Sequence, residues 1–399
     1  MAIQKKDIKI FVVTMLVVAV LFVVGYEAFP RVAETHYEKN LPGKATVAES
    51  ETAAASMVEE PKPEPPLVTH IPKPKMIKGV YMSSWVGGTT KFRQQIVDLI
   101  DRTEINTLVL DIKDYSGQIA FHVDNKLIND VGSTENRIPD AREFINYLHE
   151  KNIYVIGRVT VFQDPVFANA RPAEAVKKVS APGEAWRDKS GLKWLDAGSK
   201  VTWDYVAEIG KVAYKDFGFD EINYDYIRFP SDGNMKDVLY PYSQGKVKAD
   251  VIESFYTYLG ETMHKENIPI SADLFGMVTT NTDDLGIGQV LEKALPHFDH
   301  IYPMVYPSHF PPGWNGYANM HEHASDVILT SMSRAKVRAE AMGESPDKLC
   351  PWLQDFNLYG TYTPDKVRGQ IDATYAAGLS CWLLWDSSNT YTEAALKAE

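Results

Sequence analysis

Eight short β-rich runs, spaced along the chain from Lys78 to Asp386, constrain the fold more than any other feature of this sequence. They are Lys78–Ser83, Ile105–Lys113, Ile153–Phe162, Phe219–Pro230, Ile268–Gly276, Phe298–Pro307, Leu349–Phe356 and Leu379–Asp386. Between them lie stretches with the 3.6-residue apolar period of amphipathic helices: Phe92–Thr103, Asp140–Asn152, Trp203–Phe217, Val251–Asn267 and Pro364–Gly378. Eight strand–helix units predict a closed (β/α)8 TIM barrel with inserted loops. A doubly wound open sheet is the alternative, but no G-x-G-x-x-G or G-x-x-x-x-G-K-[ST] follows any of the runs.

What precedes the barrel reads differently. Residues 10–26, IFVVTMLVVAVLFVVGY, carry no charge and follow Lys5, Lys6 and Lys9. That length sits at the short end of a bilayer span, and the basic residues before it hold residues 1–9 in the cytoplasm. The expectation is a single transmembrane anchor with the rest of the chain exported; a signal peptide is the alternative, although no clear A-x-A cleavage site follows. Residues 27–75, with the run EEPKPEPPLVTHIPKPK, read as a Pro-rich stalk, and residues 76–399 as the barrel domain.

Charge divides along the same line. The first 75 residues hold nine basic and nine acidic side chains, so the whole net charge of −12 falls on residues 76–399. An acidic domain without basic runs repels phosphate backbones, which argues against nucleic acid and favours a neutral or cationic ligand. Two cysteines, Cys350 and Cys381, cannot make a Cys-rich zinc site. They fall early in the last two strands, close enough for a disulfide, but two buried thiols are the expected state. The histidine pairs His297/His300 and His321/His323 lack the spacing of zinc motifs, so no metal or cofactor is expected.

In a TIM barrel the chemistry sits at the C-terminal strand ends. Those ends here are polar or aromatic: Asp111, Lys113, Arg158, Asn223, Asp225, Arg228, Ser271, Asp273, Tyr306, Gln354, Asp355, Trp385 and Asp386. Alternation along a strand puts Asn223 with Asp225, Asp111 with Lys113 and Ser271 with Asp273 on common faces, taken as facing the barrel axis. Neighbouring strands run about 4.8 Å apart, so Asp225 and Asp273 can approach the ~5–5.5 Å spacing of a retaining glycosidase pair. Asp225 is then the nucleophile, kept ionised by Arg158 or Arg228, and Asp273, set among Ala272, Leu274 and Phe275, is the acid whose pKa an apolar wall raises. Asp111, Lys113, Arg158, Asn223, Tyr306, Gln354, Trp385 and Asp386 are the candidate substrate-binding residues. Arg228 is expected to pair with an acidic neighbour such as Asp232.

The segment GFDEINYDYIRFPSDG (Gly218–Gly233) resembles the fourth-strand motif of sugar-hydrolysing barrels, and the chain from about Lys78 to Ala395 resembles a bacterial family of glycoside hydrolases. In alpha-amylase-like enzymes this strand ends in the nucleophile, which corresponds to Asp225; Asn223 stands where they carry Arg, and Glu221 where they carry Gly. Chitinase-like barrels place their acid at the position held by Ile227. The resemblance implies hydrolysis of a cell-envelope or extracellular polysaccharide. A non-catalytic carbohydrate-binding barrel and a metal-dependent polysaccharide deacetylase are the competing readings.

Overall fold

The computed structural model describes residues 67–398. The apolar stretch 10–26 and most of the Pro-rich segment lie outside the described residues, and with them the expected membrane anchor. Among the described residues no helix is long and apolar enough to cross a membrane.

All eight expected runs form strands: β1 Lys78–Met82, β2 Thr107–Lys113, β3 Tyr154–Thr160, β4 Glu221–Asp225, β5 Ile270–Phe275, β6 His300–Met304, β7 Trp352–Gln354 and β8 Trp382–Trp385. They pair in parallel, each with its neighbours in sequence, and β8 closes on β1. The strands are shorter than their apolar runs because the runs extend beyond the ladder bonds at one or both ends. β2 and β3 are buried along their whole length, as expected where helices cover one face of a sheet and the barrel interior the other.

That alternation separates two apolar layers. Leu108, Leu110, Val155, Ile222 and Tyr224 face outward into a layer shared with the helices. Val109, Ile156, Tyr154, Tyr302 and Leu383 belong to a second cluster. They alternate with the first set along their strands, so they point to the axis. The longer helices are α1 Thr90–Arg102, α2 Ala141–Glu150, α3 Lys200–Val212, α4 Lys248–His264, α5 Ala324–Ala341 and α6 Pro364–Ala376. α3 begins where the Ser199 hydroxyl accepts from the Thr202 amide, and its final π turn stops at Gly218, whose φ of 90° suits glycine. α1 and α2 are tied by a bidentate pair, Arg93 donating to Asp140 at 2.5 and 2.8 Å.

Residues 67–75, read from the sequence as the end of the stalk, lie against the N-terminal end of the barrel. The Ile71 amide donates to Asp220 Oδ1 at 2.9 Å, Thr69 Oγ1 bonds Asn146 and His149 at 2.8 Å, and Lys73 Nζ is 3.0 Å from His300 Nε2. Folded contacts thus begin ahead of Met76.

Cys350 and Cys381 form a disulfide, correcting the expectation of two thiols. They lie just ahead of the adjacent strands β7 and β8, with Cα atoms 4.8 Å apart, inside the range a bridge needs. Closing a loop of 31 residues stabilises the fold by about 3–4 kcal/mol in the chain-entropy account. The double variant Cys350→Ser/Cys381→Ser is therefore expected to lose about that much in urea unfolding, and the wild type to lose it on reduction. Unchanged midpoints would show that the bridge adds no stability.

Candidate active site

The C-terminal ends of β2 to β5 converge on one guanidinium. Arg158, from β3 and 7% exposed, donates through Nη1 to Asp111 Oδ1 of β2 at 2.7 Å and through Nη2 to Asp225 Oδ2 of β4 at 2.5 Å. Its Nε lies 3.1 Å from that same Asp225 oxygen and 3.7 Å from Asp273 Oδ2 of β5. The register explains the convergence: Asp111, Arg158, Asn223 and Ser271 stand opposite one another around the barrel, and Asp225 and Asp273 sit one inward-facing position higher. Arg158 reaches up from the lower layer to hold both.

Each carboxyl has further partners. Tyr226 carries φ 55°, unusual for a non-glycine residue, and that turn aims its own amide at Asp225 Oδ1. Asp273 Oδ1 accepts from Trp352 Nε1 at 2.8 Å and from Asn223 Nδ2 at 3.1 Å. Burial, and next the Asp225 charge, push the Asp273 carboxyl well above the usual carboxylate range; Arg158 and the two hydrogen bonds only partly oppose them. Burial likewise raises Asp111, against the pull of Arg158 and a 2.5 Å bond from Tyr81.

Above this cluster opens a cavity of about 250 Å3. Asp225, Asp273 and Arg158 form its floor, Trp385, Trp352 and Tyr306 part of its wall, and Arg228 and His309 also line it. Burial, with both carboxylates behind it, raises Tyr306 and keeps its phenol a neutral donor. Trp85 and Tyr115 are 60% and 59% exposed and lie outside the lining, while Phe162 is core.

Several candidate binding residues do not reach this cavity. Lys113 is fully buried, paired with Asp164 at 2.8 Å and bonded to the Thr160 carbonyl. A register shift between Asp111 and Lys113 breaks the alternation on which their common face was inferred. Gln354 is a loop clamp, accepting from the Ser308 amide at 3.1 Å and donating to the Phe356 carbonyl at 2.9 Å. Asp386 caps its own turn through Ser388 at 2.6 and 2.5 Å. Asp355 binds Thr392, and burial pushes its carboxyl up to about 6. Asn223 and Asp111 act one layer down, holding Asp273 and Arg158. Arg228 forms no ion pair with Asp232; its guanidinium lies over the rings of Trp194, Tyr226 and Phe275.

Residues 79–391 match the family described as "Putative glycosyl hydrolase domain". The chain belongs to this family. No curated protein sequence matches it. Among solved structures, the glycoside hydrolase domain of PgaB (BpsB) from Bordetella bronchiseptica is similar at 13% identity and a TM-score of 0.54, over 79% of this chain and 95% of that one. Alpha-L-fucosidase isoenzyme 2 from Paenibacillus thiaminolyticus is similar at 15% identity and a TM-score of 0.53, over 80% of this chain and 48% of that one. A protein from Ruminiclostridium thermocellum is 36% identical over 49% of this chain and 96% of its own, with a TM-score of 0.45. The two remote likenesses are likenesses of fold.

Sequence reasoning missed part of what builds this glycosyl hydrolase domain. Glu221, noted only as a departure from a motif glycine, is fully buried at the lower end of the barrel. It accepts from Tyr302 and from Tyr154 at 3.3 Å, and sits 2.9 Å from His300 Nδ1. Burial raises Glu221, but His300 and these donors outweigh it and leave the carboxyl below its ordinary value. Their period-two spacing, Glu221 with Asn223 and Asp225, His300 with Tyr302, was the available signal. Trp352 and Tyr81 each donate to a site carboxylate, Trp352 to Asp273 and Tyr81 to Asp111. Among the described residues no three His, Cys, Asp or Glu side chains form a group able to hold a metal ion.

Proposed function

We propose that this chain hydrolyses glycosidic bonds of a cell-envelope or extracellular polysaccharide by a retaining mechanism, with Asp225 as nucleophile and Asp273 as general acid. One observation carries the reading: a single cavity presents two carboxyls, one ion-paired with Arg158 and the other, Asp273, with a raised pKa. Two carboxyls in unlike environments are what glycosidic cleavage needs, since one must donate a proton while the other traps an oxocarbenium-like centre. The Arg158 Nε distances of 3.1 and 3.7 Å cap the separation of the two Oδ2 atoms at their sum. That cap admits the ~5–5.5 Å of retaining pairs and lies below most of the ~6.5–9.5 Å range of inverting ones.

In the first step Asp273 protonates the leaving oxygen as an Asp225 oxygen bonds the anomeric carbon. In the second, Asp273 takes a proton from water, which displaces Asp225. Trp385 and Tyr306 give the cavity an aromatic lining for the sugar, and a neighbouring cavity of about 560 Å3 shares Met277, His309 and Phe310 with the first, leaving room for a longer glycan. The charge-free stretch 10–26 supports anchoring in the cytoplasmic membrane with the barrel outside, and a disulfide suits an oxidising compartment.

The test is a reducing-end assay of the purified chain on a panel of envelope and extracellular glycans, with proton NMR of the first-formed anomer. Net inversion would remove the retaining mechanism, and cleavage that survives both Asp225→Asn and Asp273→Asn would remove the site. The pH profile gives a separate check. Asp273 is active when protonated, so kcat is expected to fall as pH rises through its raised pKa, and Asp273→Asn to lose that alkaline limb along with about 10²–10⁴ of the rate. A wild-type profile flat through neutral and alkaline pH would exclude Asp273 as the acid.

A further inference from the structure

We propose that Arg228 is an anion subsite of this cavity, reading a carboxylate carried by the sugar bound beside Asp225. The inference rests on the glycosidase reading and adds the substrate's charge to it. Two cations line the cavity. Arg158 is committed to Asp111 and Asp225. Arg228 is not: among the described residues it makes no ion pair, and its only hydrogen bonds run from Nη1 to the Phe229 carbonyl at 3.2 Å and to Ser231 Oγ at 3.4 Å. Nε and Nη2 have no partner there.

The guanidinium is nonetheless held in place. Its carbon lies 4.8 Å from the ring centroid of Trp194, 5.2 Å from that of Tyr226 and 5.1 Å from that of Phe275, so aromatic faces fix its plane. The acidic neighbours are spoken for or turned outward. Asp188 accepts from Trp194 Nε1 and Gln163 Nε2, each at 2.9 Å, and Asp232 is exposed and out of contact. A partly buried guanidinium without an ion-pair partner is costly to keep, and burial lowers its pKa, with the more distant Asp225, Asp232 and Asp188 only partly opposing it. An incoming carboxylate offsets that cost and matches the planar fork in two hydrogen bonds, which a hydroxyl does not.

The experiment compares matched sugars on the full chain by saturation-transfer NMR titration: glucuronate against glucose, and N-acetylmuramate against N-acetylglucosamine. Within each pair the acid carries the extra carboxylate, on the ring carbon in the first and through an ether arm in the second. At least one acid is expected to bind about tenfold more tightly than its neutral partner, and which one tells where the carboxylate sits. Arg228→Gln should bring that ratio to about one. If Arg228→Gln does not fold by circular dichroism, Arg228→Lys serves instead, since its ammonium loses the two-point geometry and should cut the ratio at least threefold. No acid preference in the wild type, no binding of either acid, or a preference that survives these substitutions overturns the proposal. Binding is read without turnover, so failure of the glycosidase reading would show separately, as acid preference without hydrolysis in the reducing-end assay.

Discussion

Asp225→Asn is expected to lower kcat/KM on any glycan the chain cleaves by on the order of 10³-fold or more, because an amide can neither trap the anomeric carbon nor keep a charge opposite Arg158. The amide oxygen can still accept from Arg158, but the NH2 then faces the Tyr226 amide, so the fold of the variant is checked by circular dichroism before its kinetics are read. A second consequence separates this from a simple loss of contact. The Asp225 charge helps hold Asp273 high, so its removal lowers the Asp273 pKa, and the alkaline limb of the residual activity should move to lower pH. Steady-state kinetics across pH on the best substrate decide it. Activity within tenfold of wild type would leave Asp225 without a catalytic role.

Arg158→Met should be among the most destabilising single changes in the barrel. It strips the shared counter-charge from Asp111, Asp225 and Asp273, which are 2%, 5% and 1% exposed. Removing one partner of a buried ion pair typically costs about 3–5 kcal/mol, because the remaining charge has lost both water and its counter-ion. Without the guanidinium the already raised Asp111 and Asp273 carboxyls titrate higher still, so the deficit should shrink as pH falls and they protonate. Adding Asp111→Asn to Arg158→Met should recover part of it for the same reason. Urea unfolding at neutral and acidic pH measures both. A loss under about 1 kcal/mol, or one that grows on acidification, would mean that Arg158 is not what offsets the buried charge.

How the two residues came to be singled out shows what a sequence can carry. β2 and β3 are buried on both faces, so each reads as an apolar run whatever surrounds it, and eight such runs with helical stretches between them have few ways to close. Asp225 and Asp273 stood out for a related reason: a carboxyl in a run such as INYD or ISADLF has no local partner and must be satisfied from another strand. Lys113 met the same criterion and has a different place. One shifted register position between it and Asp111 turned it from the cavity to Asp164, and a shift of this kind leaves no mark on hydrophobic periodicity. Gln354 and Asp386 show the related limit that a polar residue at a strand end serves loop closure as readily as ligand binding.

Net charge speaks to a different scale. The −12 of residues 76–399 pointed to neutral or cationic ligands, yet the cavity holds a guanidinium without an ion-pair partner among the described residues. A sum over surface carboxylates describes the field far from the protein, while a cleft is governed by the few groups that line it.

The sequence by itself determined the number and order of the barrel strands and put the two carboxyls at strand ends, because each depends on residues near one another in the chain. Only the tertiary structure decided that Arg158 would join three carboxyls from three strands, that Cys350 would meet Cys381, and that Arg228 would line the cavity without an ion-pair partner among the described residues. Those outcomes depend on register and on distances between segments far apart in sequence, and the closure of the barrel sets both.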